Sequence, residues 1–127
     1  HLTLDRSNKN LIDKITKAKK EGVPIFNHGI IEIDQIIKLN MNCEYVIYPS
    51  LAESFGLPII EGINYGCKII AAKRDYVDAI CLPSDSFNPM SIKDISRSIK
   101  NAIEKNLHKS KLKTESKISY LIESLKF

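Results

Sequence analysis

Residues 44–72, which read EYVIYPSLAESFGLPIIEGINYGCKIIAA, decide the fold of this chain. The stretch opens with the β-rich apolar segment Glu44–Tyr48 and ends with a second apolar segment, Lys68–Ala72. Between them, residues 57–65 carry apolar side chains at helical spacing. Pro58 falls in the first turn, where proline is tolerated because its missing N–H would have no intrahelical partner. The order strand, loop, helix, strand therefore predicts a βαβ unit of a parallel sheet.

Elements on both sides of this stretch extend the alternation of helices and strands. They are a helix with its N-cap at Ser7, a strand over Pro24–His28, helices over 32–41 and 76–80, a strand over 85–88, and a helix from Ser91 to near Leu107. Two of the predicted strands are apolar throughout, which is typical of strands that are buried on both faces. The sequence therefore predicts an α/β fold, with a Rossmann-like parallel sheet covered by helices on both faces.

Length and composition place the chain among ordered domains. Its 127 residues fit one domain, and the 43% that are apolar argue against disorder. No apolar run approaches the roughly 18 residues that span a bilayer, and no signal peptide is visible. The net charge of +4 arises within residues 100–127, which carry seven Lys and three Glu. Because a nucleic-acid binder more often spreads basic side chains over a face of its fold, we expect no nucleic-acid partner.

The cysteines and histidines indicate no metal site or disulfide framework. Cys43, Cys67 and Cys81 are odd in number and far apart, and they form no C-x-x-C pair. This spacing argues against both a zinc site and a set of disulfides, and it indicates a reducing compartment. The three histidines show no ligand spacing either.

The loop after the first predicted strand of this stretch leads directly into the predicted helix. There the N–H groups of Phe55, Gly56 and Leu57 would be free at a helix N-terminus, which suits a phosphate. Gly56 lacks a side chain, so a ligand could approach the backbone closely. Glu53 and Glu61 flank this position, and carboxylates accept hydrogen bonds from sugar hydroxyls. Phosphate donors between two hydroxyl acceptors favour a nucleotide-sugar as the ligand. Alternatively, Glu53 is only a first-turn charge that favours the helix dipole, and Glu61 is a solvated helix residue.

The longer pattern P-S-x-x-E-S-F-G-L-P-x-x-E-x-x-x-x-G runs from Pro49 to Gly66. It resembles the C-terminal nucleotide-sugar-binding domain of glycosyltransferase family 4 (the group 1 type), whose members have the GT-B fold. Other segments that resemble this family are Phe26–Ile30, Tyr76-Val77, Pro83-Ser84 and Phe87–Pro89, of which the last three resemble a bacterial surface-polysaccharide subgroup. The resemblance covers roughly residues 1–107 and implies a nucleotide-sugar-binding domain over residues 1–108.

The resemblance implies retaining transfer from a nucleotide-sugar such as a UDP- or GDP-sugar, with no metal and no other cofactor. The absence of a D-x-D pair agrees with this. Glu53 would be the catalytic-site carboxylate on the donor sugar, and Glu61 would contact the ribose. The residues that would hold the sugar and diphosphate or line the base pocket are Ser54, Phe55, Gly56, Leu57, His28, Gly29 and Ile30. Lys73 and Arg74, which depart from the family's small-residue turn, either touch a phosphate or face solvent.

The resemblance also predicts that the chain is a C-terminal fragment of an enzyme. His1–Leu4 would match an internal strand, and the N-terminal domain that binds a glycan or lipid-linked acceptor would be missing, so catalysis would be incomplete. The enzyme would act in polysaccharide or lipid-linked glycan synthesis, in the cytoplasm or at the inner face of the membrane. Residues 109–127 predict a basic amphipathic helix, which packs on the core, crosses to the N-terminal domain or contacts an anionic membrane.

Two other functions stay open from the sequence. A non-catalytic nucleotide-sugar-binding or regulatory module would share the donor site but need a separate partner subunit. A flavodoxin-like interaction domain would leave Glu53 and Glu61 as surface charges, and no nucleotide-sugar would then perturb residues 53–61.

Overall fold

The computed structural model describes residues 1–113, and the chain divides into two compact units, residues 1–38 and the residues from Leu39 onward. The helices of the described part are α1 (Lys9–Lys20), α2 (Ile33–Asn42), α3 (Leu57–Asn64), α4 (Asp75–Ile80) and α5 (Ile92–Glu104). Its strands are β1 (Tyr45–Tyr48), β2 (Lys68–Ala72), β3 (Cys81–Leu82), β4 (Asp85–Phe87) and β5 (Lys111–Leu112).

The second unit is built on a parallel three-stranded sheet in the order β1-β2-β4. Val46 of β1 pairs with Ile69 of β2, and Ala71 of β2 pairs with Ser86 of β4. Parallel neighbours require a crossover, and α3 supplies the one between β1 and β2. The predicted α/β fold with a parallel sheet is therefore confirmed.

Helices cover both faces of this sheet. Successive residues of β2 point to opposite sides of the sheet, so alternate residues contact different helices. Ile69 shares a buried cluster with Ile59 of α3, whereas Ile70 belongs to a second cluster against which Ile95 of α5 packs. All five residues of β2 are buried. This two-sided burial explains why the segment is apolar throughout.

Gly62 brings α3 close to the sheet. A Cβ at this buried position would lie 2.9 Å from Ile69 Cδ1 and 3.3 Å from Val46 Cγ2. A glycine inside a helix costs roughly 0.5–1 kcal/mol relative to alanine. The tight packing against β1 and β2 is a physical reason for glycine at this position.

The Asp85 carboxylate anchors α5 to β4. Its Oδ2 accepts hydrogen bonds from Ser98 Oγ at 2.9 Å, Arg97 Nη1 at 3.2 Å and Asn101 Nδ2 at 3.3 Å. Burial raises the pKa of Asp85, but the hydrogen bonds from Ser86 N–H and these side chains, with the charge of Arg97, lower it overall. Ser98 is fully buried, so its hydrogen bond to Asp85 joins α5 to β4 at the buried interface between them.

The first unit differs from its predicted structure in two places. The N-cap of α1 is Asn8, whose side chain accepts from Leu11 N–H, and not Ser7. The predicted strand Pro24–His28 is reduced to a single parallel bridge between Leu2 and Asn27. The Asn27 side chain explains this, because its Oδ1 accepts from Leu4 N–H at 2.9 Å and its Nδ2 donates to Leu4 C=O at 3.0 Å, which occupies the groups that would continue the ladder.

Two predictions near the C-terminus also differ from the structure. Helix α5 begins after its predicted N-cap at Ser91 but ends at Glu104 rather than near Leu107. Within the predicted helix over residues 109–127, Lys111–Leu112 form strand β5, which pairs antiparallel with β3 and places Leu112 against the buried cluster. Residues 114–127 lie outside the described residues, so the helix over them stays a prediction.

Candidate functional site

The carboxyl end of β1 positions Glu53. Tyr48, the last residue of β1, donates a hydrogen bond from its hydroxyl to Glu53 Oε2 at 2.6 Å. Ser54 N–H donates to Glu53 Oε1 at 3.0 Å. The hydrogen bond from Tyr48 and then that from Ser54 lower the pKa of the Glu53 carboxyl. Glu53 is therefore an exposed, ionised carboxylate with a fixed orientation at this edge of the sheet.

Two tyrosines and a serine support this carboxylate. The rings of Tyr48 and Tyr76 meet edge to face, with centroids 6.5 Å apart. Tyr76 donates from its hydroxyl to Ser50 C=O at 2.8 Å, and Ser50 Oγ donates to Ala52 C=O at 2.8 Å. Burial, followed by the hydrogen bond to Glu53, raises the pKa of Tyr48, so its phenol keeps the proton that it donates. The loop before Glu53 is thus tied to both β1 and α4.

Gly56 ends the loop and caps α3. Its φ of 59° lies in the left-handed region, and a Cβ at this position would overlap Ile80 Cδ1 of α4. Gly56 is also buried. Glycine is therefore required here for two reasons. The backbone is left-handed, and the Ile80 side chain occupies the space that a Cβ would need.

The start of α3 leaves backbone donors available. Among residues 1–113, the N–H groups of Gly56 and Leu57 donate to no acceptor. Proline lies in the first turn as predicted, and the positive end of the helix macrodipole lies at the same place. The side chains of Phe55 and Leu57 are 66% and 50% exposed, and Ser54 is exposed as well. The loop therefore offers both hydrogen-bond donors and apolar surface to a ligand.

Glu61 lies in α3, where it is half-buried. In the part of the chain that the structure describes, its carboxylate has no hydrogen-bond or ion-pair partner. The structure thus places Glu61 on the helix whose N-terminus follows Glu53, and no donor among residues 1–113 uses its carboxylate oxygens.

Arg74 and Lys73 follow the carboxyl end of β2. The Arg74 Nε is buried and has no hydrogen-bond partner among the described residues. Buried polar atoms without a partner are rare in native proteins, and an unseen ion or ligand is one physical explanation. Lys73, by contrast, is exposed. The two cations of this turn therefore differ in their surroundings.

His28, Gly29 and Ile30 belong to the first unit, and the structure describes them within that unit. His28 Nε2 lies 2.8 Å from His1 Nδ1, and the two rings stack with centroids 5.1 Å apart. Gly29 is buried with a φ of 73°, and its N–H donates to Asn27 Oδ1 at 3.3 Å. Ile30 is 82% exposed.

Three properties of residues 1–113 bear on other kinds of site. An open pocket in the first unit contains none of the predicted site residues; it is lined by Arg6, Ile12, Ile15, Thr16, Lys19 and Asn27. Over residues 1–113, no three His, Cys, Asp or Glu side chains are placed to hold a metal ion. No helix in that range is both long and apolar enough to cross a bilayer.

Sequence reasoning missed the residues that hold Glu53 in place. Tyr48 was visible only as the end of a β-rich segment, although a tyrosine at the last position of a strand can reach the loop that follows. Tyr76 was noted for its resemblance to the family and not for a contact with Ser50. The unpartnered Arg74 Nε is a property of packing that no spacing indicates.

Comparison with known proteins identifies a glycosyltransferase as a relative. The chain is 31% identical over 100 residues to proteins from Escherichia coli named serotype-specific mannosyltransferase WbdA. The matched region is 78% of this chain but only 11–12% of those proteins. No family model and no solved structure matches the chain. Most of the chain is therefore similar to one short segment of a protein named as a glycosyltransferase.

Proposed function

We propose that this chain is the donor-binding part of a retaining glycosyltransferase with a GT-B fold. It would take a sugar from a nucleotide-sugar for polysaccharide or lipid-linked glycan synthesis. The observation that carries the proposal is the Glu53 carboxylate, held by Tyr48 at the end of β1 immediately before the N-terminus of α3. In parallel α/β sheets, ligands bind outside this carboxyl edge. The similarity to a mannosyltransferase supports sugar transfer as the reaction class.

In this proposal Glu53 accepts hydrogen bonds from hydroxyls of the donor sugar. Because its pKa is lowered, the carboxylate stays ionised and acts as an acceptor at neutral pH. Both of its oxygens are already oriented, by Tyr48 and by Ser54 N–H, so little conformational freedom is lost when the sugar binds. Glu53 is thus an orienting group whose position is set before the ligand arrives.

The diphosphate would lie at the N-terminus of α3. The N–H groups of Gly56 and Leu57 donate to no acceptor among the described residues, and the helix macrodipole favours negative charge there. Arg74 is the cation that we assign to the diphosphate, because its buried Nε has no hydrogen-bond acceptor among residues 1–113. Lys73 is exposed and receives no role.

The remaining roles rest on the resemblance. Glu61 would accept hydrogen bonds from ribose hydroxyls, in agreement with its unpartnered carboxylate. His28, Gly29 and Ile30 would line the base pocket, and Ser54 and Phe55 would contact the sugar or diphosphate. The glycan or lipid-linked acceptor would bind another domain, and the enzyme would work in the cytoplasm or at the inner face of the membrane. No metal and no further cofactor is assigned.

Nucleotide-sugar titration tests the proposal. We expect a UDP- or GDP-sugar to shift the backbone amide resonances of residues 53–61. Glu61→Ala should weaken binding of the nucleotide by about 5- to 30-fold, because one ribose hydroxyl loses its acceptor, a loss of about 1–2 kcal/mol. Glu104→Ala is the matched control, since it removes an exposed helical carboxylate in α5.

Two outcomes would contradict the proposal. If none of a panel of UDP-, GDP-, ADP- and dTDP-sugars shifts these resonances, the donor-binding function is wrong. If Glu61→Ala and Glu104→Ala bind the nucleotide equally well, the ribose role of Glu61 is wrong while the donor site as a whole can stand.

A further inference from the structure

Two cysteines that are far apart in sequence meet at the opposite end of the sheet from the candidate site. Cys43 Sγ lies 3.3 Å from Cys67 Sγ, although the residues are 24 positions apart. Cys43 precedes β1 and Cys67 precedes β2, so both lie at the amino ends of their strands. Both thiols also approach Asn40 C=O, at 3.6 Å and 3.0 Å. The fold therefore aligns two thiols on one acceptor.

We propose that Cys43 and Cys67 are a reversible oxidation site, at which a peroxide converts the two thiols into a disulfide. A disulfide has an S–S length of about 2.05 Å, so the sulfurs need to approach by roughly 1.3 Å. Cys43 is the residue that meets the oxidant, because it is half-buried whereas Cys67 is 3% exposed. The inference is independent of the donor site.

The reaction balances in two steps. The Cys43 thiolate attacks one oxygen of the peroxide, the O–O bond breaks, and the products are a Cys43 sulfenic acid and water or an alcohol. The Cys67 sulfur then attacks the Cys43 sulfur, the S–S bond forms, and the hydroxyl group leaves as water with the proton from Cys67. Overall, two thiols lose two electrons and the peroxide gains them.

The surroundings of Cys67 determine its role in this two-step reaction. Burial, followed by its contact with Cys43, raises the pKa of the Cys67 thiol to about 12. Cys67 is therefore a thiol at neutral pH and reacts poorly with peroxide directly. It acts as the resolving group, and the second step should become faster as the pH rises.

The disulfide would close a loop that contains β1, the Glu53 loop and α3. Closing a loop of this length restricts the unfolded chain, so oxidation should raise the thermal midpoint by on the order of 10 °C. The third cysteine provides an internal control. Cys81 is fully buried in β3, and it shares no contact with another thiol among the described residues.

Peptide mapping after oxidation tests the proposal. The purified chain is treated with hydrogen peroxide, unfolded in the presence of an alkylating reagent, digested and analysed by mass spectrometry without reduction. We expect a linked Cys43–Cys67 peptide, alkylated Cys81 and full reversal by dithiothreitol. In Cys67→Ala, dimedone should label a Cys43 sulfenic acid, and in Cys43→Ser peroxide should leave the thermal midpoint unchanged.

Several results would overturn this inference. One is oxidation of Cys43 to the sulfinic acid with no linked peptide in the unsubstituted chain. Others are a linkage that includes Cys81, or equal oxidation rates for all three thiols. A Cys43→Ser protein whose thermal midpoint shifts on oxidation as much as that of the unsubstituted chain would also contradict it.

Discussion

Gly56→Ala is the substitution whose effect the structure predicts in most detail. A left-handed conformation at φ 59° costs a non-glycine residue roughly 1–2 kcal/mol. The new Cβ also overlaps Ile80 Cδ1, and overpacking of a core typically costs about 1–3 kcal/mol more. We therefore expect the free energy of unfolding to fall by about 2–5 kcal/mol.

Gly66→Ala is the matched control for Gly56→Ala. Its φ of 88° is also left-handed, but a Cβ there would have no atom of residues 1–113 within 4 Å, so only the conformational cost of about 1–2 kcal/mol applies. Ile80→Val removes the clashing Cδ1 and by itself costs about 0.5–1.5 kcal/mol. In the Gly56→Ala background the same change should recover stability, which gives a coupling of about 1–3 kcal/mol.

Urea unfolding followed by circular dichroism measures these differences in the four proteins of the cycle and in Gly66→Ala. The reasoning fails if Gly56→Ala is no more destabilising than Gly66→Ala. It also fails if the effects of Gly56→Ala and Ile80→Val simply add, because the overlap with Cδ1 would then not be the cause.

Three further predictions concern Asp85 and Glu53. Ser98→Ala should lower the free energy of unfolding by about 1–3 kcal/mol, because the half-buried Asp85 carboxylate loses a hydrogen-bond donor; a change below about 0.5 kcal/mol in urea unfolding would contradict this. Because folding lowers the pKa of Asp85, its contribution to the free energy of unfolding is present above pH 3.8 and is lost as the pH falls below that value. The free energy of unfolding of Asp85→Asn should therefore fall less steeply with acid than that of the unsubstituted chain. Tyr48→Phe should raise the pKa of Glu53 in an NMR titration, and an unchanged pKa would exclude the Tyr48 contact.

The pattern of apolar residues predicted most of the second unit. The predicted bounds of strand β2 and helix α3 lie within a residue of the observed ones. Burial of one face of a helix leaves a period of apolar residues in the sequence, and burial of a strand on both faces leaves a continuous apolar run. The strand over Pro24–His28 was wrong, since the Asn27 side chain binds Leu4 in place of a backbone ladder. A side chain that competes with the backbone in this way leaves no period in the sequence.

The candidate site was predicted in part. The sequence indicated the loop, the two glutamates and the start of α3, because an E-x7-E pattern around a glycine is a local feature. It did not indicate that Tyr48 holds Glu53 or that Ile80 lies against Gly56. The spacing of the cysteines also gives no sign that the fold brings the Cys43 and Cys67 thiols together.

Local patterns in the amino-acid sequence predict the α/β class, the order of the parallel βαβ unit and the position of the loop between β1 and α3. These properties depend on residues close together in the chain, where hydrophobic period, proline and glycine act locally. Packing between distant parts of the chain sets four other features. These are the orientation of Glu53, the need for glycine at position 56, the Arg74 Nε that lacks a partner among residues 1–113, and the contact of Cys43 with Cys67. Each of these features depends on which distant residues come together in the folded chain. A local sequence pattern therefore cannot predict it.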